Sequence, residues 1–254
     1  RKEVIRALGT FSALERLVFI AGLLLSAVMA LVLLYKLNDR LMVSIPISGG
    51  TLTEGVVGTP RYVNPLLSAT DADRDLTALV YRGLMKEDGT GNLVPDLAES
   101  YSISSNNLTY TFKIRDDAKF QDGSPVTADD VVFTVASALD SSLKSAERVK
   151  WQGVTAIAEN PKTVSFTLKA PYAPFLLSTT LGIMPKHVWS VVPYEDWMYS
   201  EHNTKDVIGS GWYRIKKIST QGAGVPEYYE LVRAGKGAAA PKIDKIVMRF
   251  YANE

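Results

Sequence analysis

The chain has 254 residues, of which 28 are basic and 27 acidic, so its formal net charge is +1. This balance gives no indication of a nucleic acid or another polyanion as a partner. The chain contains no cysteine, which excludes disulfides, thiolate metal sites, a cysteine nucleophile and a lipid-attachment cysteine. Because the first residue is Arg1 and not methionine, we expect the sequence to begin inside a longer reading frame.

An apolar segment runs from Leu17 to Tyr35 without a charged residue. About 19 helical residues span roughly 28 Å, which is close to the hydrocarbon thickness of a bilayer. A cleaved signal peptide is one alternative, although its apolar core is normally shorter and Ala27 and Ala30 make a poor cleavage site. A helix buried in a soluble core is the other alternative. We therefore favour a retained transmembrane anchor. Basic residues before the segment indicate a cytoplasmic N-terminus; they are Arg1, Lys2, Arg6 and Arg16.

The anchor divides the chain into four predicted parts. These are a cytoplasmic segment at 1–16, the anchor at 17–35, a stalk at 36–48 and a domain at 49–254, which Gly49-Gly50 introduces. The first elements predicted in the domain are a strand at Thr51–Val57, an irregular loop at Gly58–Thr70, a helix at Asp71–Arg82 and a turn at Asp88–Asn92.

The segment Leu97–Phe133 has the most regular pattern. Tyr101 and Ile103 alternate with polar residues, and apolar residues alternate again along Leu108–Ile114. We therefore expect a β-hairpin in which each strand buries one face. Ser104–Asn107 supplies the tight connection between the strands.

A turn and a helix follow this hairpin. Asp122-Gly123 makes the turn, and Thr127 is predicted to cap a helix that has Asp129 and Asp130 in its first turn. The elements mix strands and helices without a regular βαβ order, which favours a mixed α/β or α+β lobe. The later predictions are a hairpin of Val154–Ala158 and Thr163–Leu168, helices at Pro174–Leu181 and Met184–Trp189, and strands at Trp212–Ile218, Tyr228–Val232 and Ile243–Tyr251.

Three acidic residues at alternate positions, Asp71, Asp73 and Asp75, raise the question of a calcium loop. Leu76 and Arg82 stand where an EF-hand loop needs glycine and glutamate. We therefore interpret the three acids as the solvated start of a helix.

Only two histidines occur, His187 and His202. A catalytic triad needs a histidine held between a nucleophile and an acid, and neither sequence context indicates this. Gly235-Lys236-Gly237 lacks the upstream glycine and the following Ser or Thr of a phosphate-binding loop. We predict no catalytic residue, no metal ligand and no cofactor, and hence no enzyme.

Short motifs at characteristic spacing extend over most of the domain. Together they resemble the family 5 extracellular solute-binding proteins, which are the peptide- and nickel-binding receptors of ABC importers. Trp212 departs from the family pattern, which has proline at that position. The matching motifs are Asn64-Pro-Leu66, Tyr81-x-Gly-Leu84, Leu97-Ala-Glu-Ser100, Leu108-Thr-Tyr-Thr-Phe112, Phe120-x-Asp-Gly-x-Pro125, Thr127-Ala-x-Asp-Val131, Pro171-Tyr-x-Pro-Phe175, Ile183-Met-Pro-Lys-His187, Gly209-Ser-Gly-Trp-Tyr213 and Ile243–Phe250.

The resemblance implies a fold and a function. The fold is the mixed α/β (α+β) lobe of a type II periplasmic-binding-protein-like receptor, here preceded by one transmembrane helix. Family members continue through a second lobe, so we expect this chain to be an N-terminal fragment in which the second lobe is absent. The implied function is a membrane-anchored, monomeric substrate-binding subunit on the extracytoplasmic side of the cell membrane. It binds peptides in an interlobe cleft and delivers them to an ABC permease that an ATPase drives.

The resemblance also places three segments against the ligand. They are the loop after Asn64, the segment near Ser145–Glu147 and the segment Gly209–Trp212. Asp71 is the nearest candidate to meet a ligand ammonium, although its place at a helix start competes with that role. The predicted binding residues are Asn64, Ser68, Ala69, Thr70, Asp71, Ser145, Glu147, Gly209, Ser210, Gly211 and Trp212.

Two other functions stay open at this point. A domain of this family can report a ligand without importing it, as a sensing module. The solute can also be nickel or another small solute, although the two histidines provide no sequence argument for nickel.

Overall fold

The computed structural model describes residues 12–42, 47–235 and 240–252. The chain divides into two compact units, residues 1–47 and residues 48–254. In chain order, the helices and strands are α1 (Ala13–Leu41), β1 (Thr51–Val57), α2 (Asp71–Val80), β2 (Met85–Glu87), β3 (Leu93–Pro95), β4 (Ala98–Ile103), β5 (Thr109–Ile114), α3 (Ala128–Leu139), α4 (Arg148–Trp151), β6 (Val154–Asn160), β7 (Thr163–Leu168), α5 (Phe175–Ser178), α6 (Lys186–Trp189), β8 (Tyr213–Gln221), β9 (Val225–Arg233) and β10 (Lys245–Tyr251).

Helix α1 contains the whole predicted anchor at 17–35. The Ser12 amide donates to the Glu15 carboxylate at 2.8 Å, and the Glu15 amide donates to Ser12 Oγ at 3.4 Å, so a capping box fixes the start of the helix. The helix is long and apolar enough to cross a membrane, a property that a signal sequence shares. None of its residues is buried within the described part of the chain.

Helix α1 continues through Leu41, into the segment predicted as the stalk at 36–48. The segment from Lys36 to Leu41 contains no proline or glycine, so nothing in it stops a helix that is already formed. Several predicted features lie outside the described residues: Arg1, Lys2 and Arg6, stalk residues 43–46 with Pro46, and Lys236-Gly237.

Two four-stranded sheets form the framework of the second unit. One has the order β1-β10-β9-β8, in which β1 runs parallel to β10 and the other pairs are antiparallel. The other has the order β4-β5-β7-β6 and is antiparallel throughout. Strands β2 and β3 form a separate ribbon. Aromatic rings fill the core beneath the second sheet, where Trp151 and Phe175 pack on Phe166 with ring centroids 5.4 and 5.6 Å away.

The predicted hairpin is confirmed, but the burial of its first strand is not. Tyr110 and Phe112 of β5 are buried as predicted, whereas Tyr101 and Ile103 of β4 are 39% and 41% exposed. The register places Tyr101 beside Phe112 and Ile103 beside Tyr110, so the predicted face is right. The difference arises because β4 is the outer strand of its sheet and has a neighbour on one side only.

The start of α3 agrees with the prediction. Thr127 donates through its amide and its hydroxyl to Asp130 Oδ2, at 2.8 and 2.6 Å. The other oxygen of this buried carboxylate accepts the Lys186 amide at 2.9 Å. Asp130 therefore both caps α3 and holds α6 against it.

Two predicted helices are shorter than their patterns suggest. The helix predicted at 71–82 ends at Val80, because Tyr81 is already extended and the Val80 carbonyl accepts the Gly211 amide at 2.7 Å. The helix predicted at 174–181 is confined to Phe175–Ser178. There the hydroxyls of the two following threonines bond back to the carbonyls of Leu176 and Leu177 and end the helix.

Candidate functional site

Three hollows on the second unit share lining residues, and we call the three together the groove. The Trp212 hollow, of about 520 Å³, shares Arg82, Lys86, Asp96 and Trp212 with a central hollow of about 380 Å³. The central hollow in turn shares Tyr81 and two further residues with the Ser68 hollow, of about 350 Å³. Polar and charged groups stand along the whole groove, which therefore suits an extended ligand with hydrogen-bonding groups.

The segment Gly209–Trp212 packs tightly across the C-terminal end of α2. The Gly211 amide donates to the Val80 carbonyl at 2.7 Å, and the Arg82 amide donates to Ser210 Oγ at 3.2 Å. A Cβ on Gly209 would lie 2.0 Å from the Val80 oxygen, so no side chain fits at this crossing. The strand predicted from Trp212 begins one residue later, at Tyr213, which leaves the Trp212 ring in the wall of the groove.

Gln121 ties this segment to the neighbouring elements. Its Nε2 donates to the carbonyls of Tyr213 and Gly211, at 2.8 and 3.2 Å. Its Oε1 accepts the Gly209 amide at 3.4 Å, and the backbone amide of Gln121 donates to the Gly209 carbonyl at 2.9 Å. One side chain from the loop before α3 therefore fixes the segment that forms the end of the groove.

Arg82 is held in one orientation between an acid and an aromatic ring. Its Nε and Nη2 donate to the two Asp96 oxygens at 3.0 and 2.6 Å, and its guanidinium carbon lies 4.9 Å from the centre of the Trp212 ring. Only 19% of the Arg82 side chain and 7% of the Asp96 side chain are exposed. The bidentate pair and the stacking together make this guanidinium rigid.

Asp73 anchors the loop that leads to the Ser68 hollow. Its Oδ1 accepts the amides of Arg61 and Tyr62 at 2.6 and 3.1 Å, and its Oδ2 accepts those of Ala69 and Thr70 at 3.1 and 3.0 Å. Burial of the carboxylate pushes its pKa upward, but the four amide donors together outweigh burial, and the pKa lies below its usual value.

The structure brings five of the predicted binding residues to the groove. Ser68 and Glu147 line one end of the groove. Ser210, Gly211 and Trp212 line the other end. The two sets come from distant parts of the chain, and the groove connects them.

Six predicted binding residues do not line the groove. Asn64 and Ser145 are both buried, and their side chains bond internally. Asn64 pairs with Asn203 at 3.0 Å, and Ser145 Oγ donates to the Leu66 carbonyl at 2.7 Å. The other four residues support the groove or face solvent next to it; they are Gly209, Ala69, Thr70, which caps α2, and Asp71, which pairs with Arg74.

Residues that the sequence did not single out dominate the groove. Arg82, Lys86 and Asp96 line two of its hollows, and Gln121 lines one. Arg82 and Gln121 each occupy a variable position inside a family motif, which was the signal available for these two residues. The two histidines lie elsewhere: His187 Nε2 is 2.7 Å from Asp122 Oδ2, and His202 Nδ1 is 3.0 Å from the Asp206 carbonyl.

Comparison with known proteins confirms the resemblance. Residues 92–254, more than half of the chain, match the model for bacterial extracellular solute-binding proteins, family 5 Middle. The chain is 34% identical to the oligopeptide-binding protein AppA of Bacillus subtilis over 175 residues, which are 68% of this chain and 32% of AppA. The chain thus spans about a third of the length of the curated relatives it matches.

Solved structures match the second unit's mixed α/β fold. AppA in complex with a nonapeptide matches with a TM-score of 0.71 and 31% identity, over 82% of this chain and 41% of that one. CtaP, an ABC transporter substrate-binding protein of Listeria monocytogenes, matches with a TM-score of 0.70 and 36% identity, over 82% and 41%. NikZ of Campylobacter jejuni, in complex with Ni(L-His), matches with a TM-score of 0.69 and 29% identity, over 79% and 39%.

Proposed function

Because the chain belongs to the bacterial extracellular solute-binding proteins of family 5, we propose that it is part of the substrate-binding subunit of an ABC importer and that its ligand is a peptide. The family consists of binding proteins and not of enzymes. The observation that carries the proposal is the groove on a unit that matches AppA in complex with a nonapeptide. An extended peptide offers such a groove both backbone hydrogen-bonding groups and side chains.

In the proposed mechanism, the peptide lies along the groove and a second lobe closes over it by a hinge motion. The wall around Gly209–Trp212 supports this role because Gln121 and the end of α2 hold it in place. A wall that is already ordered loses little entropy when ligand binds. The closed form then docks on a permease, and ATPase subunits drive transport.

Calorimetry on the purified complete gene product tests the ligand class. A panel of tri- to nonapeptides is one arm, and Ni²⁺ alone and Ni²⁺ with L-histidine form the other, because the chain resembles NikZ as well. Saturable peptide binding supports the proposal. Binding of nickel without any peptide binding would replace it with the nickel alternative. Loss of peptide uptake in a strain without the gene separates import from sensing.

Trp212→Ala is expected to weaken peptide binding about 10-fold, because a half-buried aromatic ring in a groove wall typically contributes that much to binding. Trp212→Phe keeps a ring and is expected to retain most of the affinity. Tyr172→Ala is the matched control, since it removes an aromatic ring that is 53% exposed and lies outside the groove. Equal losses for Trp212→Ala and Tyr172→Ala in calorimetry would contradict the placement of the ligand.

We propose that α1 is retained as a membrane anchor, because its apolar run at 17–35 is longer than the roughly 7–15 apolar residues typical of a signal sequence. The wild-type protein is expected in the membrane fraction after a carbonate wash, with residues 13–41 still present in the mature protein by mass spectrometry. Deletion of Ala13–Leu41 is expected to move the protein to the soluble fraction. A soluble wild-type protein that begins after residue 41 would instead identify α1 as a cleaved signal sequence.

A further inference from the structure

The Trp212 hollow carries an excess of positive charge. Four basic side chains line it, against the two carboxylates of Asp96 and Asp117. Asp122 does not line the hollow, and its carboxylate is within hydrogen-bond distance of Ser124 and His187. An anionic group on a ligand would therefore be favoured here. The four basic residues are Arg82, Lys86, Arg115 and Lys119.

The basic side chains in this hollow differ in how closely an acidic partner approaches them. Asp96 is buried and is engaged by Arg82 at 2.6 Å, while Lys86 reaches it only at 3.8 Å. Lys119 is exposed and has no ion-pair partner in the described part of the chain. The local excess thus rests mainly on Lys86 and Lys119, which both remain accessible from the hollow.

Arg82 provides hydrogen-bond donors of fixed geometry. Its Nε and Nη2 are used by Asp96, and its face lies over Trp212. Within residues 12–42, 47–235 and 240–252, Arg82 Nη1 makes no hydrogen bond. A planar guanidinium that is already oriented and still has free N–H groups is well suited to bind a carboxylate.

We propose that the Trp212 hollow binds a carboxylate of the ligand, with Arg82 Nη1 as the hydrogen-bond donor and with Lys86 and Lys119 supplying the opposite charge. This inference rests on the proposed function, since it takes the ligand to be a peptide. The carboxylate belongs either to an Asp or Glu side chain or to the peptide C-terminus. In both cases the receptor selects for negative charge at this end of the groove.

The first test compares matched peptides in calorimetry on the complete gene product. Alanine pentapeptides carry a single Glu or Gln at each position, and each is made with a free and with an amidated C-terminus. We expect one position, or the C-terminus, at which loss of the charge weakens binding about 10-fold. If all these peptides bind equally well, the carboxylate site is refuted while peptide binding stands. If none binds, the proposed function fails, and this inference fails with it.

The second test reverses the charges in the hollow. Lys86→Glu and Lys119→Glu are each expected to remove most of the preference for the charged peptide, measured within each variant as the ratio of the affinities for the charged and the uncharged peptide. Lys169→Glu is the matched control, because Lys169 is exposed and lies outside the groove. Arg82→Lys keeps the charge but removes the guanidinium, and it is expected to reduce the same preference. An unchanged preference in Lys86→Glu, Lys119→Glu and Arg82→Lys would overturn the assignment.

Discussion

Gly209→Ala is expected to destabilise the protein by about 3 kcal/mol or more, since the added methyl group meets backbone and not a movable side chain. The Cβ would lie 2.0 Å from the Val80 carbonyl oxygen and 2.8 Å from its carbon. To avoid this clash, the segment Gly209–Trp212 must move away from α2. That movement breaks the hydrogen bond from the Gly211 amide to the Val80 carbonyl at 2.7 Å. In thermal unfolding followed by circular dichroism, Tm should fall by about 6 °C or more.

Gly89→Ala is the matched control for this prediction. A Cβ on Gly89 meets nothing within 4 Å, so the substitution is expected to change the stability by less than about 0.5 kcal/mol. If Gly209→Ala and Gly89→Ala unfold at the same temperature, the tight crossing of this segment over α2 is not present in solution.

Asp73→Asn is expected to cost about 3 kcal/mol. The Asp73 carboxylate accepts four backbone amides, two from the start of the loop and two from its end. An asparagine amide nitrogen cannot accept, so one pair of donors loses its partner and faces another donor instead. Thermal unfolding should detect a fall in Tm of about 6 °C or more, and peptide affinity should fall with it because the loop carries Ser68, which lines the groove.

The pH dependence of this effect follows from the sign of the pKa shift. The folded-state pKa of Asp73 lies below the usual value for an aspartate, so the stabilisation is complete above the unfolded-state pKa and is lost as the pH falls through the folded-state pKa. The difference between wild type and Asp73→Asn should therefore be constant near neutral pH and shrink only below about pH 4. Asp75→Asn, on the exposed side of the same helix, should show neither effect. A difference that already shrinks at pH 5 to 6 would contradict the assignment.

Local patterns predicted those parts of the fold that depend on neighbours along the chain. The strand at Thr51–Val57 begins and ends where alternation placed it, and Thr127 precedes its helix because a cap is a short-range feature. The exposure of Tyr101 and Ile103 depends on the position of β4 in the sheet. Strand order is a long-range property that alternation does not contain.

The site was less predictable for the same physical reason. The resemblance singled out Asn64, but it did not indicate which group its side chain contacts. In the structure, that side chain donates a hydrogen bond to Asn203. Arg82 and Asp96 are separated by 14 positions in the chain. Taken one at a time in the sequence, each is expected to be a charged residue on the surface. Their burial and the stacking on Trp212 exist only after β3 and the segment Gly209–Trp212 have been brought together.

The measurement that tests the central claim most directly is photo-crosslinking of a peptide ligand to the complete gene product. A tight-binding peptide that carries a benzoylphenylalanine is irradiated in the complex, and the linked residues are identified by mass spectrometry, with excess unlabelled peptide as competitor. The account predicts that competed crosslinks in this chain fall on the groove, at residues such as Ser68, Tyr81, Lys86, Glu147 and Trp212. Competed crosslinks confined to the outer face of the β8–β9–β10 sheet, at residues such as Lys217, Tyr228 and Arg249, would contradict it.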